Sequence, residues 1–239
     1  IYSGMGIRAI DRILDNCIYG NVKLLYISPE RLQTNLARER IKRMNISFAA
    51  IDEAHCISQW GHDFRPSYLQ IPDLRELQPG LPFIALTATA TGDVLSDIAK
   101  FLSLDHPEMF RASFARSNLS FNVHETEDKP NQMIAASGAV SESGIVYVRS
   151  RRKTQEVSSL LNASGVRCEP YHAGMPHEER SAIQQRWLEG RTPFIACTTA
   201  FGMGIDKSNV RVVIHYDLPP SLEEYYQEAG RGGRDGNEA

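Results

Sequence analysis

Seven short apolar runs, separated by longer stretches with helical periodicity, constrain this chain more than any other feature. They fall at residues 22–28, 48–52, 82–88, 145–148, 167–171, 194–198 and 210–217. Most are continuous in apolar residues rather than alternating, as expected of strands buried on both faces of a parallel sheet. Between them, residues 30–44 place Leu32, Leu36 and Ile41 at helical spacing, and residues 93–102 place Val94, Ile98, Phe101 and Leu102 on one face. The spacing predicts a third helix over 176–188. Pro176 stands near its first turn, Glu178 and Glu179 suit the positive end of the helix dipole, and Gly190 follows its end. Strands alternating with helices make an α/β fold with mainly parallel sheets.

The chain has 239 residues, long for one domain and comfortable for two. The pattern breaks between residues 117 and 143, where Glu125-Thr126-Glu127-Asp128-Lys129-Pro130 is polar. A boundary near 125 is expected, dividing the chain into 1–125 and 126–239. No apolar run approaches the ~18 residues needed to span a bilayer. The first residues show no signal-peptide pattern, and the absence of an initiator Met suggests a piece of something longer. Net charge is −3, with acidic and basic residues nearly balanced on either side of residue 125. That balance argues against an electrostatic glove for nucleic acid and leaves room for local phosphate contacts. Cys17, Cys56, Cys168 and Cys197 lie far apart and never as C-x-x-C, so neither a zinc framework nor a disulfide scaffold is expected.

Asp52-Glu53-Ala54-His55 directly follows the run at 48–52. Acids at the carboxyl end of a buried parallel strand sit where open α/β sheets bind ligands. One carboxylate there can hold Mg²⁺ through water, and its neighbour can orient a water toward a phosphate. Alone, two adjacent acids at a strand end more often mark a solvated loop. Cys56-Ile57-Ser58-Gln59-Trp60-Gly61-His62-Asp63-Phe64-Arg65-Pro66 then reads as a loop carrying aromatics that need a core or a base to stack on. Leu86-Thr87-Ala88-Thr89-Ala90 ends the next apolar run with two hydroxyls.

Together these segments resemble the RecQ branch of superfamily 2 DNA helicases. The second half agrees. Ile145-Val146-Tyr147-Val148-Arg149-Ser150-Arg151 resembles helicase motif IV, and Tyr171-His172-Ala173-Gly174 the next RecQ element. Thr199-Ala200-Phe201-Gly202-Met203-Gly204-Ile205-Asp206-Lys207 resembles motif V, and Tyr225-Tyr226-Gln227-Glu228-Ala229-Gly230-Arg231-Gly232-Gly233-Arg234-Asp235-Gly236 motif VI. The resemblance runs over essentially the whole chain and implies two RecA-like lobes, the first truncated at its N-terminus and the second at its C-terminus. It implies that Asp52 holds Mg²⁺, that Glu53 activates water, and that His55 passes the nucleotide state to Thr87 and Thr89. By the same resemblance Gly204, Asp206, Gln227, Arg231 and Arg234 serve ATP, the two arginines as fingers. Ser58, Gln59, Trp60, His62, Phe64, Arg65, Arg149, Ser150, His172, Thr198 and Thr199 would serve DNA.

The resemblance further implies ATP and Mg²⁺ as cofactors, with no zinc in these residues. The implied partner is single-stranded DNA or duplex with a 3′ tail, engaged by a monomer 3′ to 5′, in recombination and repair. The compartment would be the cytoplasm of a bacterium, with the nucleoid, or the nucleus of a eukaryote. The family also needs a G-x-x-x-x-G-K-[ST] loop. Gly202-Met203-Gly204-Ile205-Asp206-Lys207-Ser208 is not one, because Asp206 replaces the Gly before Lys207. This polypeptide is therefore expected to be ATPase-deficient. Three rival readings are a DEAD-type RNA helicase, a non-catalytic nucleic-acid-binding fragment, and a metal hydrolase using His55, Cys56, His62 and Asp63. The first would favour Asp at position 55 and Ser-Ala-Thr in place of Thr87-Ala88-Thr89. The last lacks further ligands at recognisable spacing.

Overall fold

The computed structural model describes residues 1–2, 4–60, 63–113, 115–140, 142–202 and 205–239. The chain divides into two units, Ile1–Phe110 and Arg111–Ala239.

In the first unit, helix α1 (Ile7–Tyr19) packs against α3 (Asn35–Ile41) through Ile10, Leu14, Ala37 and Ile41. The single helix expected over 30–44 is split in two. Ser28 caps α2 (Pro29–Leu32), and the Thr34 hydroxyl accepts the Ala37 amide to start α3 afresh. An N-cap hydroxyl competing for backbone amides ends one helix and begins another. The strand expected over 22–28 is not formed either. The segment is extended, with Leu25 and Ile27 against the α1–α3 cluster and Leu24 and Tyr26 exposed, but it joins no strand ladder. Its apolar residues gain cover from helices on one side only.

Strands β1 (Ala49–Ile51) and β2 (Phe83–Ala85) pair in parallel, Ala49 opposite Phe83 and Ile51 opposite Ala85. Two 3₁₀ turns, Ala54–Ile57 and Pro66–Asp73, and the short α4 (Leu74–Leu77) lie between them. Ile51, Phe83 and Ala85 face a cluster built from Cys56, Ile57, Tyr68, Ile71 and the Val94–Ile98 face of α5 (Gly92–Phe101). Thr91 caps α5. Ala50 and Ile84 point to the other side and are exposed, so burial on both faces does not hold for this pair of strands.

It does hold at the centre of the second unit. There α6 (Lys129–Gly138), β3 (Ser143–Tyr147), α7 (Arg151–Ala163), β4 (Cys168–Tyr171), α8 (His177–Leu188), β5 (Phe194–Cys197), β6 (Val210–His215) and α9 (Leu222–Ala229) follow in order. The sheet is wholly parallel in the order β4-β5-β3-β6, and every residue of β3 and β5 is buried. Ile145 and Tyr147 pack on one face with Trp187 and Phe201, whose rings meet edge-on at 5.2 Å. Val146 packs on the other face with Val157 and Leu161 of α7.

The polar stretch expected as linker holds α6, capped by Asp128 through the Asn131 amide at 3.2 Å. The second unit also begins earlier than residue 125, and hydrogen bonds explain why. Arg116 and Asn118 bond the carbonyls of Gly230, Gly232, Gly233 and Asn237, and Ser120 pairs its amide with the Ala239 carbonyl. Among the described residues no helix is long and apolar enough to cross a membrane.

Gly144 sits in β3 directly against the Phe194 ring, which a Cβ there would overlap. Gly144→Ala is expected to destabilise the second unit by about 1–3 kcal/mol through overpacking. Urea denaturation followed by the emission of buried Trp187 measures it, and an unchanged midpoint would contradict this packing.

Candidate functional site

The first constellation forms where β1 ends. Asp52 and Glu53 leave its carboxyl end, and Glu53 adopts a left-handed conformation (φ 50°, ψ 43°) that a non-glycine residue holds only where its surroundings impose it. The Glu53 amide donates to Asp52 Oδ1 at 2.9 Å. The chain then turns through Ala54–Ile57 and buries His55 to 2% exposure. His55 Nδ1 lies 3.0 Å from Thr87 Oγ1 and 3.4 Å from Glu53 Oε2. The Thr87 hydroxyl in turn lies 3.1 Å from the Thr89 carbonyl. The acid pair, the imidazole and the two threonines thus form one hydrogen-bonded set.

The Asp52 carboxylate is exposed. One exposed carboxylate suits Mg²⁺, which is held chiefly by water and phosphate oxygens rather than by a protein cage. Among the described residues no three His, Cys, Asp or Glu side chains cluster as a ligand set.

The aromatic-rich segment is rooted beside this set. Ser58, expected to face DNA, is fully buried. Its hydroxyl donates to Asp97 Oδ2 on α5 at 2.6 Å and accepts the Trp60 amide at 3.1 Å. Ser58 is therefore an anchor, and a fully buried hydroxyl with both roles filled is not placed to touch a nucleic acid. Gln59 and Trp60 beyond it are exposed, Trp60 at 78%. Phe64 and Arg65 are half-buried. Arg65 pairs with Asp63, which holds the guanidinium pKa above its ordinary value. Burial pushes the Cys56 thiol up to about 11 and the Tyr68 hydroxyl to about 12. The Tyr68 hydroxyl donates to the Asp52 carbonyl at 3.2 Å, steadying the acid pair from below. His62 lies outside the described residues.

In the second unit the parallel sheet brings a second set together, because every strand ends at the same edge. Arg149 and Ser150 follow β3, His172 follows β4, and Thr198 and Thr199 follow β5. Ser150 caps α7 by accepting the Lys153 amide at 3.2 Å. Arg149 donates its amide to Asp217 at 3.0 Å and its Nε to the Leu218 carbonyl at 2.9 Å. Lys153 pairs with the same Asp217, whose pKa is lowered despite partial burial.

The arginine-bearing turn lies apart from this edge, by the start of β6, where the Gly233 amide donates to the Val210 carbonyl at 2.9 Å. Arg231 points inward, 9% exposed, and donates to the Gly202 carbonyl at 2.6 Å. Arg234 is more open and pairs with Asp206 at 2.8 Å. Gln227 is half-buried on α9, and Gly204 lies outside the described residues. Within α9, Glu228 is buried against His215 Nε2 at 2.9 Å. The residues missed by sequence reasoning are Asp97, Tyr68, Arg116, Asn118 and the His215–Glu228 pair. Each acts through a partner at least 13 residues away along the chain, which leaves no local signal in the sequence.

Residues 2–98 match the DEAD/DEAH box helicase family model, and residues 128–236 match the helicase conserved C-terminal domain. The ATP-dependent DNA helicase RecQ of Pasteurella multocida is 43% identical over 226 residues, covering 94% of this chain and 36% of the relative. RecQ of Bacillus subtilis is 44% identical over 219 residues, covering 91% and 37%. The Schizosaccharomyces pombe ATP-dependent DNA helicase hus2/rqh1 is 44% identical over 226 residues, covering 91% and 17%. The chain therefore spans little more than a third of its bacterial relatives. Among solved structures, Mycobacterium smegmatis Lhr bound to single-stranded DNA and AMP-PNP superposes with a TM-score of 0.73 at 22% identity, covering 97% of this chain and 32% of that one. Saccharomyces cerevisiae Dbp5 bound to RNA and ADP BeF3 gives 0.67 at 20% identity, covering 89% and 56%. Those two likenesses speak to fold alone, that of RecA-like helicase domains. With the acid pair, the Thr-Ala-Thr segment and the arginine turn in place, and with relatives of this similarity across nearly all its length, the chain belongs to the RecQ family of superfamily 2 helicases.

Proposed function

We propose that this chain carries motor machinery of an ATP-dependent DNA helicase, which couples ATP hydrolysis to 3′-to-5′ movement along single-stranded DNA and to unwinding in recombination and repair. The observation that carries this reading is Trp60. A 78% exposed tryptophan is rooted through buried Ser58 in the turn that also holds His55. An exposed indole is a stacking platform for a base, worth ~1–3 kcal/mol per stacked base. Rooting it beside the acid pair gives strand binding a short covalent route to the site of hydrolysis.

In this reading Asp52 holds Mg²⁺ through water, Glu53 orients the attacking water, and His55 relays the nucleotide state to Thr87 and Thr89. Bound ATP and Mg²⁺ supply the phosphoryl group and the charge that stabilises its transfer. Arg234 and Arg231 meet charge developing on the phosphate, with Asp206 and Gln227 beside them. Gln59, Trp60, Phe64 and Arg65 face the strand, and Arg149, Ser150, His172, Thr198 and Thr199 meet its phosphates at the carboxyl edge of the second sheet. The protein works as a monomer in the compartment that holds the DNA.

In the full-length protein that contains this chain, Trp60→Ala is expected to bind a fluorescent ATP analogue as wild type does while losing most of the DNA stimulation of hydrolysis. Undiminished stimulation would overturn the role of Trp60. Duplexes with a 3′ tail are expected to unwind and those with a 5′ tail to resist, and the reverse preference would refute the polarity. The 239-residue polypeptide alone, carrying no G-x-x-x-x-G-K-[ST] loop, is expected to show no DNA-stimulated ATPase. Asp97→Ala leaves the Ser58 hydroxyl without its acceptor. It is expected to cost about 1–3 kcal/mol of stability and to lower the fluorescence anisotropy of Trp60, measured in a Trp187→Phe background.

A further inference from the structure

Arg231 and Arg234 sit on a turn that is poorly able to hold its own shape. Gly230, Gly232, Gly233 and Gly236 interrupt it, and glycine backbones lose the most freedom on ordering. Gly230 caps helix α9, and the amides of Gly230, Arg231 and Gly232 take the carbonyls of Tyr226, Glu228 and Ala229. The carbonyls of the turn itself find their donors over a hundred residues earlier. Arg116 Nη1 donates to the Gly230 carbonyl at 3.2 Å, and its Nη2 donates to the carbonyls of Gly232 at 3.1 Å and Gly233 at 2.6 Å. Asn118 Nδ2 bridges the carbonyls of Gly233 and Asn237, both at 2.8 Å, and the Asn118 carbonyl accepts the Ala239 amide at 3.0 Å.

Gly233 shows that the fit is close. It has φ +53°, and a Cβ there would lie 2.5 Å from Asn118 Nδ2 and 2.6 Å from the Asn237 carbonyl oxygen. The amides of Gly233 and Asp235 meanwhile donate to the carbonyls of Val210 and Ser208. The turn is thus held by carbonyls on one side and amides on the other, while its two arginine side chains reach Gly202 and Asp206.

We propose that Arg116 and Asn118 are positioning residues that set the conformation of the Gly230–Asn237 turn and, through it, the placement of Arg231 and Arg234. The proposal rests on the reading that those two arginines serve the phosphate. A guanidinium is suited to the task, since its planar fork serves three carbonyls from one fixed geometry, where an ammonium offers a single movable point charge. Misplacing a charge-stabilising group by about 1 Å costs on the order of 100-fold in rate.

The test measures DNA-stimulated ATPase in the full-length protein, with kcat scaled to the folded fraction from circular dichroism. Arg116→Ala is expected to lower kcat on the order of 100-fold with little change in KM for ATP, Asn118→Ala to lower it less, and Arg116→Lys to recover only part. An Arg116→Ala/Arg234→Ala double variant is expected to lose less than the product of the two single losses, since residues acting as one unit are not additive. Should Arg116→Ala fail to fold, Asn118→Ala and Arg116→Lys carry the same comparison, each paired with Arg234→Ala. Wild-type kcat in the Arg116 and Asn118 variants, with Arg231→Ala and Arg234→Ala impaired, would overturn the positioning role and leave the arginine reading standing. Additive losses in the double variant would overturn it too, reducing the contacts to a tether. Wild-type kcat in both Arg231→Ala and Arg234→Ala would instead remove the reading beneath it.

Discussion

Strand β3 is hydrogen-bonded on both sides, by β5 and by β6, and buried along its whole length. A backbone taken that far from water must satisfy every N–H and C=O on its neighbours, which leaves a parallel sheet of fixed register. The rest of the second unit follows from that register. Ile145 stands opposite Ile195 and Val213, and Tyr147 opposite Cys197 and His215, so the strands finish together. Arg149, Ser150, His172, Thr198 and Thr199 then share one edge without any contact having to be made among them. Helix α7 starts at the same edge because Ser150 caps it, and Asp217 takes both the Arg149 amide and Lys153 there. One topological fact thereby places five candidate side chains.

The first unit works by a different economy of contacts. Among the described residues its sheet is two strands wide, and order around the acid pair comes from side chains. Tyr68 holds the Asp52 carbonyl, Thr87 holds His55, and Asp97 holds Ser58. Hydrogen bonds of this kind each contribute little net stability, yet leaving one partner buried and unmatched costs about 1–3 kcal/mol. The set is therefore more a means of fixing geometry than a source of stability. His55, at 2% exposure, is thereby held by Thr87 at a fixed place beside the acid pair.

What was legible in the sequence divides along the same line. Strands β3, β5 and β6 and helices α5 and α8 were readable because their signals are local: continuous apolar runs, an amphipathic face, acids at an N-terminus. The run at 22–28 carried the same signal and formed no strand, since a ladder needs a neighbour that composition does not reveal. The split at Thr34 turns on one hydroxyl choosing a backbone amide. The polar stretch from Asp128 looked like linker because its cap and Pro130 also read as turn chemistry, and both are equally the opening of a helix. Motif resemblance located Ser58 but not its direction, which depends on Asp97 thirty-nine residues on. Arg116 and Asn118 had no signal at all, for a side chain that bonds backbone carbonyls leaves no pattern in the residues it bonds.

Arg231 shows how far the two kinds of information must be joined. A guanidinium at 9% exposure needs compensation for lost hydration, and the Gly202 carbonyl supplies part of it. Its Nε has no hydrogen-bond partner among the described residues. Gly202 in turn is a position with φ +131° where any Cβ would run into the Arg231 guanidinium. The same segment is fastened to the sheet core, because the Tyr147 hydroxyl donates to the Phe201 carbonyl at 3.2 Å. A shift of the arginine turn away from the Phe201–Gly202 backbone would cost the buried guanidinium its bond to the Gly202 carbonyl. Gly202 and Gly233, which in the sequence look like freedom, are in the fold the places where a guanidinium or a side-chain amide comes too close to the backbone for a side chain to remain.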